Sequence, residues 1–206
     1  KVVVALMGLA ASGGYYIALP ADYILAHPTT ITGSIGVIFA RPKVAGLMQK
    51  IGVTVEVNKS GTDKDMGSPF RPTSVEEDKI FQTLTDRLGV RFVDLVAGHR
   101  KLEAEVVARI STARVYLADE ALELGLVDEV GYLAAAVNQA KKLAGLAEDA
   151  KVVVYRRSEY PDDNIYNTST QYGGGKASLI SMELPGSLNH IQTGFYYLWP
   201  AALSDD

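Results

Sequence analysis

Ser12 ends an apolar run and directly precedes two glycines, in Ala10-Ala11-Ser12-Gly13-Gly14-Tyr15-Tyr16-Ile17-Ala18. A serine at a strand-to-helix elbow presents its hydroxyl as a nucleophile while backbone N–H groups converge beside it. The glycines allow close substrate approach, the Gly13 N–H is a candidate oxyanion donor, and the helix starting at Gly14 adds the positive end of its dipole. The same string also reads as a small-residue turn packed under a helix. A nucleophilic serine needs a base, and the three histidines are poor choices. His27 precedes a proline at the end of a short strand, His99 ends a helix, and His190 lies far downstream. A lysine can serve where desolvation lowers its pKa from about 10.4 towards 7–8, leaving a neutral amine. Lys64 lies in a turn-rich loop of the right kind. Its neighbours Asp63 and Asp65 are those of a solvated surface charge, however, and nearby carboxylates oppose the required shift.

The elements that must position these residues read as an α/β pattern. Residues 2–7 are an apolar, β-branched run typical of a strand covered on both faces, feeding the Ser12 turn and a helix. Tyr23 to Ala26 reads as a second strand, Ile35 to Phe39 as a third after a Gly33 turn, Pro42 to Ile51 as a helix, and Val53 to Val57 as an alternating strand. The loop from Lys59 to Pro72 is dense in turn formers. Ser74 with Glu77 has capping-box spacing, and Ile80, Leu84, Leu88, Phe92 and Leu95 recur at helical steps, predicting a long amphipathic helix to about His99. A helix over Glu103 to Ile110, a strand at Val115 to Leu117, a helix from Asp119 to Leu124 stopped by Gly125, a strand edge at Val127 to Val130 and a helix from Tyr132 to Leu143 follow. The catalytic α/β domain is expected to span residues 1–155. Residues 156–206 read as an extended docking or assembly arm, interrupted by Pro161, Gly173 to Gly175 and Pro185 and rich in tyrosine.

Composition narrows the function classes. With 206 residues, 48% hydrophobic and 21% charged, the chain can bury a core and is not wholesale disordered. A net charge of −4 without a basic block argues against nucleic acid as the main partner. The absence of cysteine excludes disulfides and thiol catalysis, and the scattered histidines exclude a histidine-paired metal site. No stretch reaches the roughly 20 apolar residues of a membrane span. The chain begins inside an apparent buried strand, so an N-terminal portion of the domain is expected to be missing.

Four ordered blocks carry a family resemblance: the Ser12 string, Ile31-Thr32-Gly33-Ser34-Ile35-Gly36-Val37, Lys59-Ser60-Gly61 with Lys64-Asp65 and Gly67-Ser68-Pro69, and Arg114-Val115-Tyr116 followed by Glu120-Ala121 and Glu123 to Gly131. Together they resemble the signal peptide peptidase A (protease IV) family over roughly residues 1–145. The resemblance implies a layered crotonase and caseinolytic-protease fold with a β-β-α superhelix core. It implies a Ser-Lys dyad with Ser12 as nucleophile and Lys64 as general base, and it matches Ser34 to the serine that orients the lysine. Residue chemistry agrees, because Ser34 needs only to accept from the Lys64 amine; otherwise it is a turn serine after Gly33. In this reading Asp63 and Asp65 point to solvent while Lys64 turns inward.

The implied activity is a serine endopeptidase that degrades cleaved signal peptides and similar extended apolar peptides, with no cofactor. The resemblance further implies a homo-oligomer on the extracytoplasmic face of a bacterial cell membrane, associated through an N-terminal segment absent here. A second oxyanion donor is expected upstream of the first strand, and the arm beyond residue 156 lies outside the resemblance. Two other readings stand beside it: a crotonase-type acyl-CoA binding enzyme, whose oxyanion hole also uses small-residue turns, and a catalytically incomplete protease-fold assembly module.

Overall fold

A computed structural model describes residues 1–155 and a short strand at Gly194–Tyr196. The apolar run at the N-terminus is broken at Gly8 into two strands that belong to different sheets. The first, β1 (Val3–Leu6), pairs in parallel with β3 (Tyr23–Ala26), which pairs in parallel with β7 (Glu129–Val130). The second, β2 (Leu9–Ala11), pairs in parallel with β4 (Ile31–Gly33), and β4 pairs antiparallel with β6 (Val115–Leu117). Helix α1 (Gly13–Ala18) connects β2 to β3.

These sheets and helices share one core. Tyr15, Ile24, Phe92, Val96, Ile110, Ala118, Ala121 and Leu126 are fully buried in it. Burying that apolar area is the main drive for the layers to meet. The Tyr15 hydroxyl, inside the core, donates to the Leu126 carbonyl at 2.7 Å.

Three sequence expectations change. Ile31–Gly33 is a strand, not a turn, and Ile35 to Phe39 forms no continuous strand; only β5 (Ile38–Ala40) is extended there. Val53 to Val57 has the alternation of a strand but pairs with nothing among the described residues, and all five residues are exposed. Helix α3 (Val75–Arg100) has the expected capping box, with Ser74 Oγ accepting from Glu77 N–H at 3.1 Å. In its first half the buried apolar residue is Phe81, against Phe39 at 4.3 Å, while Ile80 and Leu84 stay exposed.

The remaining helices follow the sequence closely. They are α2 (Ala45–Ile51), α4 (Ala104–Ile110), α5 (Ala118–Glu123) and α6 (Leu133–Leu143). No helix among the described residues is long and apolar enough to cross a membrane. The expected arm from residue 156 lies outside the described residues except at β8 (Gly194–Tyr196). Its backbone pairs antiparallel with β5 in the register Ile38 to Tyr196 and Ala40 to Gly194.

Candidate active site

Ser12 sits where β2 meets α1, and its backbone is bent to φ 52°, ψ −111°. A residue with a Cβ adopts this conformation only at a cost, which surrounding structure must overcome. Two hydrogen bonds impose it. The Ser12 N–H donates to the Gly33 carbonyl at 2.7 Å, continuing the β2–β4 ladder, while the Ser12 carbonyl accepts from Tyr16 N–H at 2.8 Å and starts the helix. The side chain is fully buried, and its Oγ has no hydrogen-bond partner. Buried hydroxyls are nearly always paired, so an orphaned one on strained backbone requires an explanation, and a reactive role supplies it.

Ser34 is brought to the same place by register. Parallel pairing sets Ala11 beside Gly33, and the Gly33 carbonyl, which accepts from the Ser12 N–H, directly precedes Ser34. Both serines take positive φ, 52° and 50°, at the ends of their strands. The Ser34 N–H donates to the Arg114 carbonyl at 2.8 Å, which ties this end of β4 to β6. Gly33 itself has φ 82°, and a Cβ there would lie 2.6 Å from the Tyr116 ring and 2.8 Å from the Arg114 carbonyl. Only glycine fits. Beneath the serines, Thr32 Oγ1 donates to the Ala10 carbonyl of β2 at 2.7 Å, and Thr30 Oγ1, just before β4, donates to the Leu6 carbonyl of β1 at 2.5 Å, so buried hydroxyls tie β4 to both halves of the N-terminal run. Gly13, the first residue of α1, follows the nucleophile candidate immediately.

Lys64 is placed differently. It is exposed, in a run of turns from Thr62 to Gly67, with its N–H donating to the Gly61 carbonyl at 3.2 Å. The structure therefore gathers Ser12, Gly13 and Ser34, and makes no hydrogen bond between Lys64 and the Ser12 hydroxyl. Asp65 does not point to solvent as expected; its side chain is only 15% exposed. The Arg71 guanidinium grips it with Nε at 2.9 Å and Nη2 at 3.0 Å, and Lys59 Nζ adds a third contact at 2.8 Å. The same guanidinium bonds the Glu77 carboxylate, Nη1 to Oε2 at 3.0 Å and Nη2 to Oε1. Held mainly by Arg71, the Asp65 carboxyl stays well below the usual carboxylate range, and Glu77 is pulled down to about 2. No residue pattern announced this clamp, which joins Asp65 and Arg71 of the loop to Glu77 in the first turn of α3 at six-residue spacing.

Among the described residues, neither His27 nor His99 bonds Ser12. His27 Nδ1 lies 2.8 Å from Thr29 Oγ1 and its ring packs edge-on to Tyr132; His99 is exposed at the end of α3, and His190 lies outside the described residues.

Comparison with known proteins follows this geometry. The family model for peptidase family S49 matches residues 1–147. A Methanocaldococcus jannaschii protein provisionally named a protease is 40% identical over 158 residues, 77% of this chain and 50% of that relative. An Enterococcus faecium protein provisionally named signal peptide peptidase SppA is 43% identical over 147 residues, 71% of this chain and 42% of the relative. Protease 4 of Haemophilus influenzae is 34% identical over 196 residues, 93% of this chain and 32% of the relative, so its likeness reaches into the arm that the sequence reading left unmatched. The chain thus spans about half the length, or less, of these relatives. Among solved structures, an enoyl-CoA hydratase/isomerase family protein from Silicibacter pomeroyi is 17% identical, with a TM-score of 0.37, over 69% of this chain and 41% of that one.

Proposed function

Because the chain belongs to peptidase family S49, we propose that it is the catalytic part of a serine endopeptidase in which Ser12 attacks a peptide carbonyl and Lys64 is its base. The observation that carries the reading is the Ser12 hydroxyl, buried and without a partner on a strained elbow. In the proposed reaction the neutral Lys64 amine takes the Ser12 proton as Oγ bonds to the carbonyl carbon. The tetrahedral oxyanion is stabilised by the Gly13 N–H. The lysine ammonium then protonates the leaving amine as the C–N bond breaks, and a water molecule, deprotonated by the same lysine, releases the acyl group from Ser12. Ser34, next to the Gly33 that binds the Ser12 N–H, would accept from the amine and fix its lone pair.

For this step the Lys64 amine must reach the Ser12 hydroxyl, with which it makes no hydrogen bond in the structure. Extended apolar peptides, signal peptide remnants among them, are the proposed substrates, cut at the extracytoplasmic face of a bacterial membrane by a homo-oligomer. We assign residues 1–155 to the catalytic domain and 156–206 to a docking arm, a division supported by the pairing of β8 with β5.

A fluorophosphonate probe tests the reading. Ser12 should be labelled in the full chain, and Lys64→Ala should lose labelling and peptide cleavage with an unchanged melting temperature. Full labelling of Lys64→Ala would eliminate the dyad.

A further inference from the structure

The Lys64 loop is held by a clamp whose parts come from both sides of it. Arg71 uses the two ends of its guanidinium fork on two carboxylates. One is Asp65, adjacent to Lys64, whose backbone carbonyl also accepts from Nη2 at 3.2 Å. The other is Glu77, whose side chain is 6% exposed and is fixed by the cap of α3, with Ser74 N–H donating to Oε2 at 3.0 Å. Helix α3 is seated in the core by Phe92 and Val96. A continuous mechanical line therefore runs from the core through α3, Glu77, Arg71 and Asp65 to Lys64. Lys43 adds a strut, Nζ donating to the Ser68 carbonyl at 2.7 Å, and Lys59 Nζ closes the loop onto the Thr62 carbonyl at 2.9 Å.

The clamp also has an electrostatic consequence. An anion beside a lysine favours its charged form, which cannot act as a base. Asp65 is the next residue to Lys64, but its carboxylate is occupied by Arg71 and Lys59. The other charged groups around the clamp are Lys43, Glu77 and the exposed Asp63; Asp78 is engaged by Arg41 at 2.7 Å. Cations thus occupy the carboxylate of the residue next to Lys64.

We infer that Arg71 is a positioning residue for catalysis: its bidentate grip on Asp65 both fixes the Lys64 loop to α3 and withholds the Asp65 carboxylate from the Lys64 amine. The inference rests on Lys64 being the base. Its test is the pH dependence of Ser12 labelling by a fluorophosphonate probe in the full chain. Arg71→Gln leaves Asp65 held by Lys59 alone, so the inflection in labelling rate moves upward by about half a pH unit, roughly a threefold loss of rate on the acid side. Adding Asp65→Asn returns the inflection to its original pH while the rate stays low, because the anchor is still broken. A merely structural arginine lowers rate or stability without moving the inflection.

An unmoved inflection in Arg71→Gln, or one that the added Asp65→Asn leaves displaced, overturns the inference. Should Arg71→Gln fail to fold, Arg71→Lys keeps the charge without the fork, and must show a smaller upward displacement that Asp65→Asn reverses. Lys64→Ala separates the two levels. If it still labels, the base assignment has failed; if it does not label and the Arg71 variants leave the inflection in place, only the clamp has.

Discussion

Removing the Ser12 hydroxyl should make the protein more stable. The residue carries two separable costs. Its backbone at φ 52°, ψ −111° costs a residue with a Cβ about 1–3 kcal/mol. Its hydroxyl, fully buried without a partner, forfeits hydration worth about 1–3 kcal/mol. Ser12→Ala recovers only the second and loses some contact, for a net gain of about 1 kcal/mol. Ser12→Gly recovers both, less about 0.5–1 kcal/mol for the freer unfolded chain, for a net gain of about 2 kcal/mol. For a chain of this size each kcal/mol moves the melting temperature by about 2–4 °C. The assay is urea unfolding of wild type and both variants at one pH, accepted only where the slope m is unchanged. The expected order of stability is Gly, then Ala, then Ser, with fluorophosphonate labelling lost in both variants. If both variants are less stable than wild type, the hydroxyl has a partner in solution and the site carries no stored cost. If Gly is no better than Ala, the backbone is not strained.

Gly33→Ala should cost about 2–4 kcal/mol, since the new Cβ meets the Tyr116 ring and the Arg114 carbonyl at a positive φ; labelling at Ser12 should fall with it, because Gly33 holds the Ser12 N–H. Gly46→Ala, in open space on α2, is the control and should leave stability equal or slightly raised. Tyr15→Phe should lower stability by about 1–2 kcal/mol in thermal melts by orphaning the Leu126 carbonyl. In an alkaline titration Tyr15 should not ionise with the ordinary phenols, because burial pushes its hydroxyl up. Glu77 is pulled down to about 2 by Arg71, so its contribution is complete above about pH 4.5 and disappears as pH falls towards 2. Urea midpoints of wild type should drop across that window, and those of Glu77→Gln should start lower and drop less.

The strand-to-helix elbow at Ser12 was legible because its signal is local: an apolar strand, a serine and two glycines fix the turn and, within one residue, the start of α1. Strands β2 and β4 were not, for a physical reason. Each has three residues, too few for alternation to show, and β4 is flanked and interrupted by Thr30 and Thr32, which read as polar loop yet are buried because their hydroxyls bond carbonyls of β1 and β2 respectively. Val53 to Val57 failed the other way, since alternation reports a strand's faces and says nothing about whether a partner exists. Lys64 was indicated by family resemblance and not by its own surroundings. Asp65 was misread as solvated because its partner Arg71 lies six residues away in a loop, a separation at which no regular structure brings side chains together.

The two halves of the proposed dyad are anchored to different parts of the fold, and the physics of each suits its role. Ser12 is fixed by the β2–β4 ladder, with β4 braced by β6 through Ser34 N–H and the Arg114 carbonyl, so its strain is held by a sheet that has no small rearrangement to relieve it. Lys64 is tied to α3 through charge-assisted bonds that Arg71 makes to the largely buried carboxylates of Asp65 and Glu77. The link between the halves is the segment from Ser34 to Lys43. Phe39 packs on Phe81, Arg41 lies over the Phe81 ring at 4.6 Å while pairing with Asp78, and Lys43 reaches the Ser68 carbonyl. A displacement of α3 relative to the sheet must pass through those contacts. The two anchors are coupled through those contacts: the sheet holds the strained backbone of Ser12, and α3 holds the Lys64 loop through Arg71, so the seat of α3 on the sheet sets the geometry of the proposed dyad.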